Sequence, residues 1–314
     1  MTITAVLPAI ARGLLEPLLP GEIEARWFSS PADANAMIAD AEIAWVDMQP
    51  TSLVADAIRS AGPRLKWVST IYAGLDAFPL DRLKAGKVAV TNGAGINAYA
   101  VAEYAVMGVL AGAKRFDEVI RAHHRHEWPK DAPGKIELFE TRALVIGYGA
   151  IGKLIGERLE AFGVAVTGVT RSGRDGTLKS DAWQATLNDY DWVILAAPST
   201  DATKTMIGAD ELATMKSSAW LINIARGDMI DDDALIAALK SGGIAGAFLD
   251  PTNPEPLPPE HPLWDAPNCM ITMHLSGRSQ TKMFRRGAEL FAKNAQAYVA
   301  GEPMTNVVDL DAGY

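Results

Sequence analysis

Three polar residues in the second half of the chain each stand just past an apolar stretch: Arg226 after LINIA, Glu255 within AFLDPTNPEPLP, and His274 at the end of CMITMH. A guanidinium, a carboxylate and an imidazole are groups that grip anions and move protons. In a parallel sheet, residues at the carboxyl ends of strands face the ligand crevice, so strands ending at these points would bring all three together. Taken singly, each has a plainer reading. Arg226 suits a surface ion pair, Glu255 a solvated proline-rich loop, and His274 a core histidine with its hydrogen bonds met. Their joint placement favours catalysis. His123, His124 and His126 also invite attention as metal ligands, but they lie on a polar stretch with no nearby cysteine and no supporting acid pattern. Solvated or interface roles are expected there, and no metal.

The stretch VIGYGAIG could hold the cofactor of such a site. It runs Gly147, Tyr148, Gly149, Ala150, Ile151, Gly152 after an apolar strand beginning at Ala143, and a helical pattern, IGKLIGERLEAF, follows at once. The first glycine permits the tight turn, the second lets backbone approach a pyrophosphate, and the third lets helix and strand pack closely. Free N–H groups at the helix start favour the phosphates. At the end of the next strand, VAVTGVT, a carboxylate usually meets the adenine ribose. Here the residues are Thr170, Arg171 and Ser172, with Arg174 nearby. A guanidinium and hydroxyls suit a 2′-phosphate, so NADP is expected over NAD. In the alternative, Arg171 stacks on adenine and serves either cofactor.

The elements that must position these groups alternate along the chain. ITAVLPAI, EIAWVD and LKWVSTI read as strands, with ARGLLEPLL, ADANAMIADA and SLVADAIRSA as helices between and beside them, and VAVTNGAG follows DRLKAGK. A long amphipathic segment runs from Ala98 to about Arg121. After the polar stretch HHRHEWPKDAPGK the alternation resumes: ALVIGYG, VAVTGVT, DWVILAAP, SAWLINIA, GAFLD and CMITMH as strands, ADELATMK and DDALIAALKSG among the helices, and MFRRGAELFAKNAQAYVAG as a last long helix. This rhythm predicts parallel sheets covered by helices on both faces, in two α/β domains.

Composition excludes several function classes. Of 314 residues 49% are hydrophobic, enough for a real core. The 29 basic and 38 acidic residues give a net charge of −9 with no basic run, which argues against nucleic acid as a partner. A single cysteine, Cys269, allows no intramolecular disulfide and no cysteine metal cluster, and fits a reducing compartment. No basic start precedes the apolar residues of the N-terminal stretch, so no signal peptide is expected. No apolar run reaches membrane-spanning length.

The chain resembles the D-isomer-specific 2-hydroxyacid dehydrogenase family, in particular its glyoxylate/hydroxypyruvate reductases. STIYAGLDAF, VTNGAGINAYAVAEYAV, VIGYGAIG, LINIARGDMIDDDAL, LDPTNPEPLPPEHPLW and ITMHLSG match it in order and spacing, nearly end to end. The resemblance implies two Rossmann-like domains with an active-site cleft between them. One is a discontinuous, flavodoxin-like substrate domain over residues 1–97 and 278–314; the other is a dinucleotide-binding domain over 98–277. It implies that Arg226 grips the carboxylate and ketone of a small 2-oxo acid, and that His274 donates a proton to the ketone oxygen. Free histidine titrates near 6.5, so Glu255 would orient the imidazole and favour its charged form. Asp250 would face the nicotinamide carboxamide, Pro198, Ile224 and Ala225 would line the cofactor, and backbone N–H groups around Tyr72, Ala73 and Gly74 would hold the substrate carboxylate. A cytoplasmic homodimer is implied, joined through the helix from Ala98 and the arm after it. In some relatives a tryptophan placed like Trp128 reaches the neighbouring active site.

Two departures touch the pocket edge. Pro251 and Thr252 stand where relatives commonly carry an aliphatic-aromatic pair, and Met273 precedes the histidine where proline is common. Substrate choice is therefore open, and larger 2-hydroxy acids remain alternatives. Formate dehydrogenases of this fold pair their histidine with glutamine, so Glu255 speaks against that activity. A nucleotide-sensing, corepressor-like binding protein would retain the same three residues and is separated only by turnover.

Overall fold

The computed structural model describes residues 2–50, 52–75, 78–278 and 280–310. Asp76 and Ala77 of STIYAGLDAF, and the last four residues of the expected substrate domain, lie outside them. The chain divides into two units, Met1–Asn97 with Gln280–Tyr314, and Ala98–Ser279.

The first unit runs β1 (Ile3–Pro8), α1 (Arg12–Leu15), β2 (Ile23–Phe28), α2 (Pro31–Met37), β3 (Ile43–Ala44), α3 (Ser52–Ser60), β4 (Trp67–Ser69), α4 (Leu80–Ala85) and β5 (Ala89–Thr91). Its sheet has the order β2-β1-β3-β4-β5, every pairing parallel, which is the flavodoxin-like arrangement. Side chains alternate across a strand, so one face carries Val6, Ala44, Val68 and Val90 into one core while Ala5, Leu7, Ile43 and Trp67 enter another. Both faces are buried, which is why these strands read as continuous apolar runs. Ser30 caps α2 by accepting from the Asp33 N–H at 3.1 Å, with Pro31 at the first helical position. β2 escapes a sequence reading because Glu24 and Arg26 interrupt its apolar pattern. It is an edge strand, and Arg26 reaches out to Asp40 at 2.8 Å.

The second unit begins with α5 (Ala98–Lys114) and α6 (Phe116–His124). It continues with β6 (Arg142–Ile146), α7 (Ala150–Glu160), β7 (Ala165–Thr170), β8 (Leu178–Lys179), β9 (Trp192–Leu195), α8 (Ala209–Thr214), β10 (Trp220–Asn223), α9 (Asp232–Ser241), β11 (Gly246–Leu249) and β12 (Cys269–Ile271). The sheet order is β12-β11-β10-β9-β6-β7-β8, all parallel. The order reverses at β6, whose neighbours are β7 and β9, and this is the switch point where such sheets bind nucleotides. Small residues let α5 lie close on the sheet: a Cβ on Gly108 would come within 2.7 Å of the Phe248 ring, and one on Gly112 within 2.7 Å of the Trp220 ring.

The long amphipathic segment is two helices. Arg115 adopts φ +47 between α5 and α6. The returning chain presses on this break, since a Cβ on Gly134 would lie 2.2 Å from the Lys114 backbone, and the Lys114 ammonium donates to the Ile136 carbonyl at 2.7 Å. The last helix, α10 (Met283–Ala300), belongs to the first unit. Its Phe291 stacks on Trp67 and Trp45, with ring centroids 4.9 and 5.6 Å away. Among the described residues no helix is long and apolar enough to cross a membrane, and no group of three or more His, Cys, Asp or Glu side chains is placed to hold a metal ion.

Candidate active site

The glycine turn sits at the switch point, between the end of β6 and the start of α7. Gly147 has φ +97, and a Cβ there would come 2.3 Å from the Ala197 backbone nitrogen in the segment leading to Pro198. On Gly152 it would come 2.3 Å from the Gly147 carbonyl, so the third glycine closes the helix onto the strand. Around Gly149, which caps α7 without any side-chain bond, a Cβ would meet nothing within 4 Å. This open second glycine and the first-turn N–H groups of Ala150, Ile151 and Gly152 form a cradle that fits a pyrophosphate. Gly147→Ala is expected to destabilise the fold by more than about 1 kcal/mol and to abolish nucleotide binding, because alanine neither tolerates that φ nor fits the space. Thermal melting and NADPH titration check both effects.

Tyr148, expected as a cofactor contact, is also held by the fold around it. Its N–H donates to the Val169 carbonyl at 2.9 Å. Its ring fills the space over Gly168, where an added Cβ would lie 2.3 Å from it, and its hydroxyl the space over Gly156, where an added Cβ would lie 2.3 Å from the oxygen. Both its donor and its ring are thus committed within the fold. After β7, the Thr170 hydroxyl is likewise turned inward: it lies 2.7 Å from the Thr177 hydroxyl and accepts from the Gly173 N–H at 3.1 Å. Thr170 shapes the loop, while Arg171, Ser172 and Arg174 are its exposed polar surface.

Arg226, Asp250 and the Glu255–His274 pair lie just beyond the carboxyl ends of three neighbouring strands, β10, β11 and β12. Buried Asn223 shapes the first turn, accepting from the Ala225 N–H at 3.0 Å and donating to the Arg226 carbonyl at 2.8 Å. Ile224 and Ala225 are buried in that turn. The Arg226 guanidinium is half-buried and donates to the Ala225 carbonyl at 2.8 Å. Gly227 then passes against the Glu255 loop so closely that a Cβ would lie 2.0 Å from the Thr252 backbone. Only glycine lets these two loops meet.

Glu255 and His274 are brought together. The His274 Nδ1 lies 2.8 and 3.0 Å from the two Glu255 carboxylate oxygens, one of which also accepts the Thr252 N–H at 3.2 Å. A carboxylate only accepts, so Nδ1 carries the proton and Nε2 is the ring atom left for a reactant. A cavity of about 350 Å³ adjoins the pair, lined among others by Thr252, Leu257, Trp264 and Met273. Met273 and His274 both lie in the left-handed region, with φ of +50 and +54. Such backbone costs on the order of 1–3 kcal/mol per non-glycine residue and persists only where the surroundings enforce it.

Asp250 provides much of that enforcement. Although the resemblance sends it to the nicotinamide carboxamide, the residue is 1% exposed and its carboxylate faces the chain itself. Oδ1 accepts from the Thr272 hydroxyl at 2.7 Å and the Leu275 N–H at 2.9 Å, and Oδ2 from the Ser276 N–H at 3.2 Å.

In the first unit, the Tyr72 N–H donates to the Thr70 hydroxyl at 3.1 Å. The N–H groups of Ala73 and Gly74 have no partner among the described residues. Asp47, passed over in the sequence, holds this turn by accepting from the Trp45 indole at 2.8 Å and from the Thr70 hydroxyl and Ile71 N–H at 2.7 Å. Burial pushes its carboxyl up to about 6 against the pull of those donors. An isolated aspartate in an apolar stretch carries no signal of this role, because two of its three partners, Thr70 and Ile71, lie more than twenty residues ahead.

Residues 106–276 match the family described as D-isomer specific 2-hydroxyacid dehydrogenase, NAD binding domain. Glycerate dehydrogenase of Methylorubrum extorquens is 34% identical across 92% of this chain and 91% of its own. Glyoxylate reductase/hydroxypyruvate reductase of Homo sapiens is 34% identical across 80% of this chain and 79% of its own. The solved structure of a D-isomer specific 2-hydroxyacid dehydrogenase from Xanthobacter autotrophicus Py2, in complex with NADPH and MES, superposes with a TM-score of 0.79 at 28% identity, covering 100% of this chain and 99% of that one. The chain belongs to the D-isomer specific 2-hydroxyacid dehydrogenase family of NAD(P)-dependent enzymes, and its second unit is that family's NAD binding domain.

Proposed function

We propose that the protein reduces a small 2-oxo acid, of the glyoxylate or hydroxypyruvate type, to the 2-hydroxy acid with NADPH. The observation that carries this reading is the bond between His274 Nδ1 and the Glu255 carboxylate, on the strand edge that also presents Arg226. The bound nicotinamide supplies hydride. Arg226 grips the substrate carboxylate and ketone through its planar fork and holds the carbon in place. His274 delivers the Nε2 proton to the ketone oxygen as negative charge develops there, and Glu255 keeps the ring oriented. The Ala73 and Gly74 N–H groups take the substrate carboxylate. The names of the two curated relatives, which act on glycerate, glyoxylate and hydroxypyruvate, support a small substrate.

NADP is favoured because the end of β7 offers Arg171, Ser172 and Arg174 and no carboxylate. Arg171→Ala is expected to lower kcat/KM for NADPH by about tenfold, the scale of one charge-assisted hydrogen bond, and to leave NADH nearly unaffected. Steady-state rates with both cofactors check it. The exposed apolar surface of Tyr99, Met107, Phe116 and Trp128 supports a homodimer joined through α5, α6 and the following arm, and the single cysteine fits a reducing, cytoplasmic setting.

A panel of 2-oxo acids assayed with NADPH and NADH tests the whole reading. Turnover of glyoxylate or hydroxypyruvate with a preference for NADPH is the expected result. Tight NADPH binding without turnover of any 2-oxo acid would replace it with a nucleotide-sensing role.

A further inference from the structure

We propose that Arg278 is a specificity-determining residue: its guanidinium takes a second anionic group, carboxylate or phosphate, carried on the substrate beyond the oxo carbon. The proposal rests on the reading of His274 as proton donor to a 2-oxo acid, and it narrows that class to acids with an anion at each end.

The cavity of about 350 Å³ beside the His274–Glu255 pair is also lined by Arg278. That volume lies in the range of pockets that enclose whole ligands, and glyoxylate or hydroxypyruvate fills only part of it. Most of the wall is apolar, formed by Pro256, Leu257, Trp264, Ile271 and Met273. Its polar groups are nearly all spent within the fold. The Trp264 indole donates to the Pro258 carbonyl at 2.9 Å, and the Thr252 hydroxyl to the Pro254 carbonyl at 3.2 Å. Both Glu255 oxygens face His274 Nδ1. Two side-chain donors of the wall are left without a partner among the described residues: Nε2 of the charged His274 ring and the guanidinium of Arg278.

Arg278 ends the short turn Ser276–Arg278, four residues after His274. Its N–H donates to the Leu275 carbonyl at 2.9 Å, and Ser276 at the start of the turn is buried. The backbone under the side chain is thus fixed, while the residue itself is exposed. An exposed arginine alone means little, since water serves its donors well. The signal here is the cavity it faces. The acid of that wall, Glu255, is engaged by the imidazole, and the apolar side chains offer no counter-charge. A guanidinium binds a carboxylate or a phosphate through two parallel bonds. A substrate whose ketone oxygen meets Nε2 and whose far anion meets Arg278 uses both free donors. Thr252 and Met273, which depart from the family pattern, line the same cavity, so its shape is this chain's own.

Steady-state rates of the full-length protein with NADPH test the proposal. Glyoxylate and hydroxypyruvate are set against oxaloacetate and 2-oxoglutarate, which add a carboxylate, and 3-phosphohydroxypyruvate, which adds a phosphate. We expect a doubly anionic acid to exceed hydroxypyruvate in kcat/KM by at least about tenfold, the scale of one charge-assisted hydrogen bond, mainly through KM. Whether a diacid or the phosphate ester leads tells which anion the site takes. Arg278→Gln should abolish that preference, and Arg278→Lys, which keeps the charge but loses the fork, should retain part of it. The Arg278 side chain makes no bond to another described residue, so both variants should melt at the parent temperature. Equal kcat/KM for singly and doubly anionic acids in the parent would overturn the proposal. So would a preference that survives Arg278→Gln, or a loss in that variant that is the same for every acid. Failure of the underlying reading looks different: no 2-oxo acid of either kind turns over, and the proposal falls with it.

Discussion

His274→Ala is expected to lose kcat by about 10²–10⁴-fold, the usual contribution of a positioned general acid, while still binding NADPH. The reason lies in how the two tasks are divided. The phosphate cradle is built from the Gly147 turn and the start of α7, and the imidazole contributes nothing to it. The ring instead lies in the loop after β12, with Nδ1 committed to Glu255 and Nε2 left for a reactant. Under the proposed function, deleting it removes the proton that would neutralise the developing alkoxide. Stopped-flow hydride transfer and fluorescence titration of NADPH separate the two quantities. A variant that transfers hydride at a near-normal rate would remove His274 from its role.

Arg226→Lys is expected to lower kcat/KM for a 2-oxo acid by about 10²-fold, although the charge is kept. Lysine presents a point charge, whereas the planar fork of arginine binds carboxylate and ketone at two points and so fixes the angle of approach. The fork is also held in place here: Asn223 ties down the Arg226 carbonyl at 2.8 Å, and the guanidinium donates to the Ala225 carbonyl at 2.8 Å. Steady-state kinetics with hydroxypyruvate checks the loss, and a parallel NADPH titration should show unchanged affinity. Equal kcat/KM in the variant and the parent would show that Arg226 does not grip the substrate.

Much of this architecture is legible in the residues because it depends on local rules. The parallel sheets show as continuous apolar runs, and Gly147, Gly149 and Gly152 show as a turn between strand and helix because each glycine answers a distinct steric need. Arg226, Glu255 and His274 announce themselves by standing just past strand ends. What stays hidden depends on partners far along the chain. Asp250 reads as one more ligand-facing acid until Thr272, Leu275 and Ser276 are seen to close on it. Tyr148 sits inside the nucleotide motif, yet its ring belongs to the packing of Gly156 and Gly168. Thr170 stands in the sequence where a ribose-binding carboxylate is usual, yet its hydroxyl closes a loop with Thr177. The break at Arg115 is set by Gly134 pressing from the returning segment, which no helical periodicity records.

The account depends on hydride passing from a reduced pyridine ring to the carbon beside a carboxylate held by Arg226, with His274 supplying the proton. Incubation of hydroxypyruvate with NADPH deuterated at the transferable C4 position, followed by mass spectrometry of the product, observes that transfer directly. The predicted result is glycerate heavier by one deuterium on C2, formed in step with oxidation of the cofactor. Bound NADPH that stays reduced, or glycerate that carries no label, would contradict it.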